Sequence, residues 1–126
     1  MPPDKRIYEL HAEVCQTFAH PKRIEILSLL RDGEKSVGQL VEQMGIAKAN
    51  VSQHLAILRQ RGAVTYRREG QTLYYRLTNP KIAQACDLMR EVLLERLEEG
   101  ERIAAAARPA TLRSSSLRST SRGRRG

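Results

Sequence analysis

Residues 36–62 read SVGQLVEQMGIAKANVSQHLAILRQRG, and the organisation of the whole chain follows from this stretch. Ser36, with Gln39 three residues later, has the pattern of a capping box and opens a short helix over Val37–Met44 that Gly45 stops. A second helix begins near Ala47 and runs to Gln60, with Val51, Leu55 and Leu58 on one apolar stripe, and Gly62 stops it. Two short helices joined by a tight turn containing Gly make a helix-turn-helix. With the stripe turned inward, Lys48, Asn50, Ser52, Gln53 and Arg59 project outward.

The flanks complete the pattern. Upstream, Ile7, Leu10, Val14 and Phe18 recur at helical spacing, so residues 5–19 form an amphipathic helix. His20-Pro21 breaks it, and Pro21 suits the first position of a second helix that runs to about Arg31. Ile24, Ile26, Leu27, Leu29 and Leu30 make that helix apolar almost all round, so it should be central. Downstream the period changes to two. Val64–Arg68 and Leu73–Leu77 are β-prone runs with Glu69-Gly70-Gln71 between them, a hairpin whose tip carries Arg67, Arg68 and Gln71. Thr78 or Asn79 caps a final helix with Pro80 in its first turn. It continues to about Ala107 with Ile82, Cys86, Met89, Leu93 and Leu97 on one face. The expected fold is mainly α with a β-hairpin wing, in the order α-α-α-α-β-β-α. It forms one domain over residues 5–106, followed by a disordered Arg/Ser-rich basic tail over 107–126.

Composition narrows the function. The chain has 126 residues, 40% of them hydrophobic, and a formal charge of +8. Six Arg and no acid lie between Ala107 and Gly126, and without them residues 1–106 carry only +2. A basic protein with a basic tail suits an anionic polymer, nucleic acid before membrane. No apolar run approaches a membrane span and the N-terminus has no apolar signal region, which implies the cytoplasm. Two cysteines make no disulfide framework. No nucleophile–base–orienter set, phosphate loop or paired acid site is visible, so an enzyme is not expected, and no cofactor is implied.

A helix-turn-helix followed by a basic hairpin is suited to reading DNA. The major groove admits the second helix. Lys48 and Arg59 suit phosphates or guanine edges, Asn50 and Gln53 suit adenine edges, and Ser52 suits either. The hairpin would lie over the flanking backbone or minor groove, where Arg67 and Arg68 meet negative potential. The rival readings are a winged-helix module for protein contacts and a non-specific nucleic-acid binder led by the Arg tail. On the preferred reading the tail adds affinity without specificity, because a flexible segment neutralises phosphates but holds no base-reading geometry.

The sequence resembles the ArsR/SmtB family of winged helix-turn-helix repressors over roughly residues 5–100. Ala19-His20-Pro21-Lys22-Arg23-Ile24, Val51-Ser52-Gln53-His54-Leu55 with Leu58-Arg59, and Gly70 with Tyr74-Tyr75-Arg76-Leu77 carry the resemblance. It implies a homodimer held by the first and last helices, which binds a palindromic double-stranded operator and leaves it when a small effector binds. It places Ser52, Gln53 and His54 at the DNA, with the Arg67–Gln71 wing beside them. Family members that bind zinc or arsenic carry Cys-x-Cys at the start of the third helix, where this chain has Lys35-Ser36-Val37-Gly38-Gln39. They also carry an Asp-x-His pair, a His and a Glu in the last helix, where this chain has Asn79, Lys81, Val92 and Glu95. Both metal sites are therefore missing.

Two thiols remain, Cys15 in the first helix and Cys86 in the last. They could form a sensing element through a disulfide, a sulfur bridge or thiolate ligation of a soft ion. His11, four residues before Cys15 on the same helical face, could join Cys15 and Cys86 around a metal. The plainer reading is that both cysteines are small packed hydrophobes.

Overall fold

The computed structural model describes residues 4–108. Its elements follow in the order α1 (Arg6–Phe18), α2 (Pro21–Leu29), β1 (Lys35–Ser36), α3 (Val37–Met44), α4 (Lys48–Gln60), β2 (Val64–Glu69), β3 (Thr72–Leu77) and α5 (Lys81–Ala107). The expected helices and hairpin are all present, and the fold is a winged helix-turn-helix.

Local chemistry explains most boundaries. At the start of α2 the Nδ1 of His20 accepts from the Lys22 N–H at 3.1 Å, and Pro21 follows in the first turn. The capping box of α3 is complete. Ser36 Oγ accepts from the Gln39 N–H at 3.1 Å, and Gln39 Oε1 accepts from the Ser36 N–H at 2.8 Å. Gly45 then turns the chain between α3 and α4 at a φ of +66°, a left-handed conformation that glycine adopts without a Cβ penalty. Between Thr78 and Asn79, the cap of α5 falls to Asn79, whose Oδ1 accepts from the Lys81 N–H at 2.9 Å. The Thr78 hydroxyl instead donates to the carbonyls of Gly62 and Ala63, tying the end of β3 to the chain just after α4.

Two corrections concern the strands. Each hairpin strand is one residue longer on the turn side than expected, so the turn is Gly70-Gln71. An unexpected strand, β1, pairs antiparallel with β3, with Lys35 opposite Tyr75 and Ser36 opposite Tyr74. The sheet therefore has three strands in the order β1-β3-β2. A strand of two residues has no periodicity to read, and it forms because β3 offers a second edge.

The core is built by Ile26, Leu27 and Leu30 of the α2 region, Leu40 and Met44 of α3, Val51, Leu55 and Leu58 of α4, and Ala63, Val64 and Tyr75 of the sheet region. The α2 helix is central as expected but not apolar to burial all round, since Ile24 stays exposed. On α1 the expected stripe points outward. Ile7, Leu10 and Val14 are exposed, Phe18 packs on the core, and the one buried α1 residue is Thr17, whose hydroxyl donates to the Glu13 carbonyl.

The chain divides into two compact units, one ending at Cys86 and one beginning at Asp87. In the first, Ala83 is buried, and Ile82 and Cys86 pack against the core. In the second, α5 exposes Leu88, Met89, Val92, Leu93, Leu94, Leu97 and Ile103. Except for Ala107 and Arg108, the expected basic tail lies outside the described residues.

Candidate nucleic-acid interface

The α4 helix has two opposite characters. Val51, Leu55 and Leu58 are fully buried on one side. On the other, Lys48, Asn50, Ser52, Gln53 and Arg59 are exposed, as the sequence led us to expect. Ala47 at the N-cap offers no side-chain cap, and no acid stands in the first turn. The first N–H groups of α4 thus keep their partial positive charge in a position to meet an anion.

His54 is placed differently from its neighbours. It is half-buried and turned toward the start of α2, its ring 4.5 Å from that of His20. Arg23 joins the pair, donating from Nε to His54 Nδ1 at 3.5 Å and from Nη1 to the Thr17 carbonyl at 2.9 Å. Arg23 thereby links the end of α1, the start of α2 and the middle of α4. Burial pushes the His54 pKa below its ordinary value of 6.5, and the charges of His20, Arg23 and Lys22 act in the same direction. The neutral ring is therefore the form that the fold prefers. Below about pH 6.5 the unfolded chain takes up a proton that the folded chain resists. Stability is fully present above that pH and falls on acidification. Denaturant unfolding at about pH 7.5 and about pH 5.5 should show this loss in wild type, and His54→Gln should flatten it. An equal pH response in the two proteins would contradict the assignment.

Arg59 does not stand alone on the surface. Its guanidinium lies 4.4 Å from the centroid of Tyr66 on β2, and Tyr66 lies 5.4 Å from Tyr75 on β3. The end of α4 is thus stacked onto the wing.

At the wing itself, Arg67 is held by the protein's own carboxylates. Its Nε donates to both Glu34 oxygens at 3.1 and 2.9 Å, and its Nη2 donates to Glu34 Oε1 at 2.6 Å. Its Nη1 donates to Glu69 Oε2 at 2.7 Å, and the same guanidinium covers Tyr74 at 4.6 Å. These hydrogen bonds raise the Arg67 pKa and lower that of Glu34. Arg68 and Gln71 are exposed.

Cys15 is exposed on α1, Cys86 is half-buried, and the two are not joined in a disulfide. Among the described residues no three or more His, Cys, Asp or Glu side chains gather where they could hold a metal, so His11, Cys15 and Cys86 are not assembled within one chain. Sequence reasoning also missed a cleft of about 260 Å³ lined by Glu13, Val14, Thr17, Phe18, Gln60 and Arg61. No motif announces it, because its lining comes from the end of α1 and the end of α4. Among the described residues no helix is long and apolar enough to cross a membrane.

A helix-turn-helix with an exposed polar reading face and an adjoining wing defines a winged helix-turn-helix DNA-binding regulator. Residues 20–66 match the family described as "Bacterial regulatory protein, arsR family". The chain belongs to this arsR family of transcriptional regulators, which bind DNA, form homodimers and are not enzymes. It is 40% identical over 94 residues to the uncharacterized HTH-type transcriptional regulator Rv0081 of Mycobacterium tuberculosis, covering 74% of this chain and 82% of that protein. The crystal structure of Rv0081 superposes with a TM-score of 0.68 at 39% identity, over 76% of this chain and 97% of that one. The biofilm growth-associated repressor of Xylella fastidiosa is 42% identical over 81 residues, 64% of this chain and 70% of its own length. The homodimeric winged helix-turn-helix DNA-binding domain of Mb0332 from Mycobacterium bovis, solved by NMR, matches with a TM-score of 0.68 at 31% identity, over 78% of this chain and 93% of that one.

Proposed function

We propose that this chain is a cytoplasmic repressor that binds a palindromic double-stranded operator as a homodimer and is released by a thiol-reactive effector. The observation that carries the operator reading is the exposed face of α4, where a cation, two amides and a hydroxyl (Lys48, Asn50, Gln53 and Ser52) stand opposite a fully buried stripe. Amides and hydroxyls on a groove-sized helix discriminate base edges, whereas a non-specific binder needs only cations. One such face is small, so two copies related by a twofold axis supply operator affinity. The exposed apolar residues of α1 and of α5 are suited to the dimer contact. Repression as the outcome is supported by likeness to a protein named as a repressor.

The test is selection of binding sites from a pool of random duplexes, followed by titration of the enriched site. The expected result is a palindrome with half-sites about one helical turn apart, bound by two chains. Uniform retention of all sequences would favour the non-specific reading.

The effector reading rests on Cys15, which is exposed, and Cys86, which is half-buried in the fold. Oxidation to a disulfide removes two protons and two electrons, which the oxidant takes up. Arsenite would instead exchange hydroxyl groups for thiolates, with loss of water. Operator binding by wild type, Cys15→Ser and Cys86→Ser, before and after oxidant, polysulfide and arsenite, decides the matter. Wild type should lose affinity with at least one reagent, and at least one mutant should not. If wild type responds to none of them, or both mutants respond as wild type does, the cysteines are structural.

A further inference from the structure

We propose that Arg67 is a positioning residue that straps the wing to the start of β1, and that Arg68 is the wing residue that meets a DNA phosphate. This inference rests on the DNA-binding reading above and assigns different work to the two adjacent arginines.

The sheet register separates them. Arg67 is opposite Tyr74, and Tyr74 is opposite Ser36, so these three share one face across all three strands. Glu34 precedes Ser36 by two positions and falls on the same face. The Arg67 side chain crosses over the Tyr74 ring of the central strand and grips Glu34 beyond it, while Glu69 holds it from its own strand. One guanidinium charge is thereby set against two carboxylates. Arg76, whose charge also acts on Glu34, brings the group only to neutrality. A phosphate approaching Arg67 would meet no net positive charge, and would compete with two carboxylates that between them already bond all three guanidinium nitrogens.

Arg68 points the other way. It is opposite Leu73, and its face of the sheet is the one that carries Tyr66 and the buried Val64 and Tyr75. That face meets α4, since Arg59 stacks on Tyr66. At the far end of it Arg68 is exposed, and among the described residues its side chain makes no ion pair or hydrogen bond. The unneutralised charge thus lies on the same side of the wing as the recognition helix.

Salt-dependent binding separates a phosphate contact from a strap. Anisotropy titrations would use a labelled random-sequence duplex about three helical turns long, across a range of salt concentrations. Each cation that pairs with a phosphate contributes about 0.9 to the slope of log affinity against log salt. The double variant Glu34→Gln/Arg67→Gln removes one charge of each sign and should keep the wild-type slope. Arg68→Gln should lower the slope by about 0.9 for each wing on the duplex. Without DNA, the double variant should exchange its β2–β3 amides about three- to fivefold faster than wild type. A slope that falls in the double variant, a slope that is unchanged in Arg68→Gln, or hairpin exchange that is unaffected would each overturn the proposal. Should wild type bind no duplex at all, the DNA-binding reading and the Arg68 assignment fall together, and the exchange rates still decide whether the strap exists.

Discussion

Leu55→Ala is expected to lower unfolding stability by about 2–5 kcal/mol, because the surroundings of a fully buried Leu collapse only partly around the cavity left behind. Leu55 belongs to the cluster where α2, α3, α4 and the sheet meet. A domain of this size has about 5–15 kcal/mol in total, so the loss would leave a measurable unfolded fraction at moderate temperature. Denaturant titration should show a lower midpoint with an unchanged slope, the sign of a weakened rather than a rearranged native state. Saturating DNA should restore much of the lost midpoint by mass action, since the reading face is intact. A cost below about 1 kcal/mol would mean that α4 is not seated as described.

The reverse separation is expected for Gln53→Ala. Gln53 is exposed, so its loss should leave stability within about 0.5 kcal/mol of wild type. On the preferred operator the loss should be about 1–3 kcal/mol, or roughly 5- to 150-fold in affinity. Binding to random duplex should change much less, because an amide lost from a base edge alters discrimination and leaves phosphate pairing alone. Competition between operator and random DNA measures both at once. An unchanged preference would remove Gln53 from the base-reading set and shift that work to Asn50 and Ser52. Leu55 and Gln53 stand two positions apart on one helix, yet one is expected to act through folding and the other through recognition.

Elements governed by neighbours in sequence were legible without the structure. Ser36 and Gln39 mark the start of α3, Gly45 marks its end, and the spacing of Val51, Leu55 and Leu58 fixes which side of α4 faces inward. Contacts between residues far apart in the chain were not legible. The β1 strand exists through pairing with residues about forty positions later. Arg67 reads as a wing cation until Glu34 is found beyond the central strand. His54 reads as one more polar residue of the recognition helix until His20 and Arg23 are seen against it. A side chain's type states what it can bond to, and only the fold states which partner reaches it first. The outward apolar residues of α1 show a related limit, because periodicity detects an apolar face without saying whether the same chain covers it.

The stack of Arg59 on Tyr66 bears on how such a regulator can be re-engineered. A designer who wishes to redirect it to another promoter would swap residues 48–60 for those of a relative. The swapped segment would bring a new side chain at position 59 while β2 kept its Tyr, and the cation–aromatic contact would survive only if the donor also has Arg there. Without it, the imported helix would lose one of the fixed points that set its angle to the hairpin, and a faithful copy of the base-reading residues would be presented in the wrong attitude. The transplantable unit is therefore the helix together with the first half of the hairpin, and libraries built for new specificities gain by holding positions 59 and 66 as a matched pair.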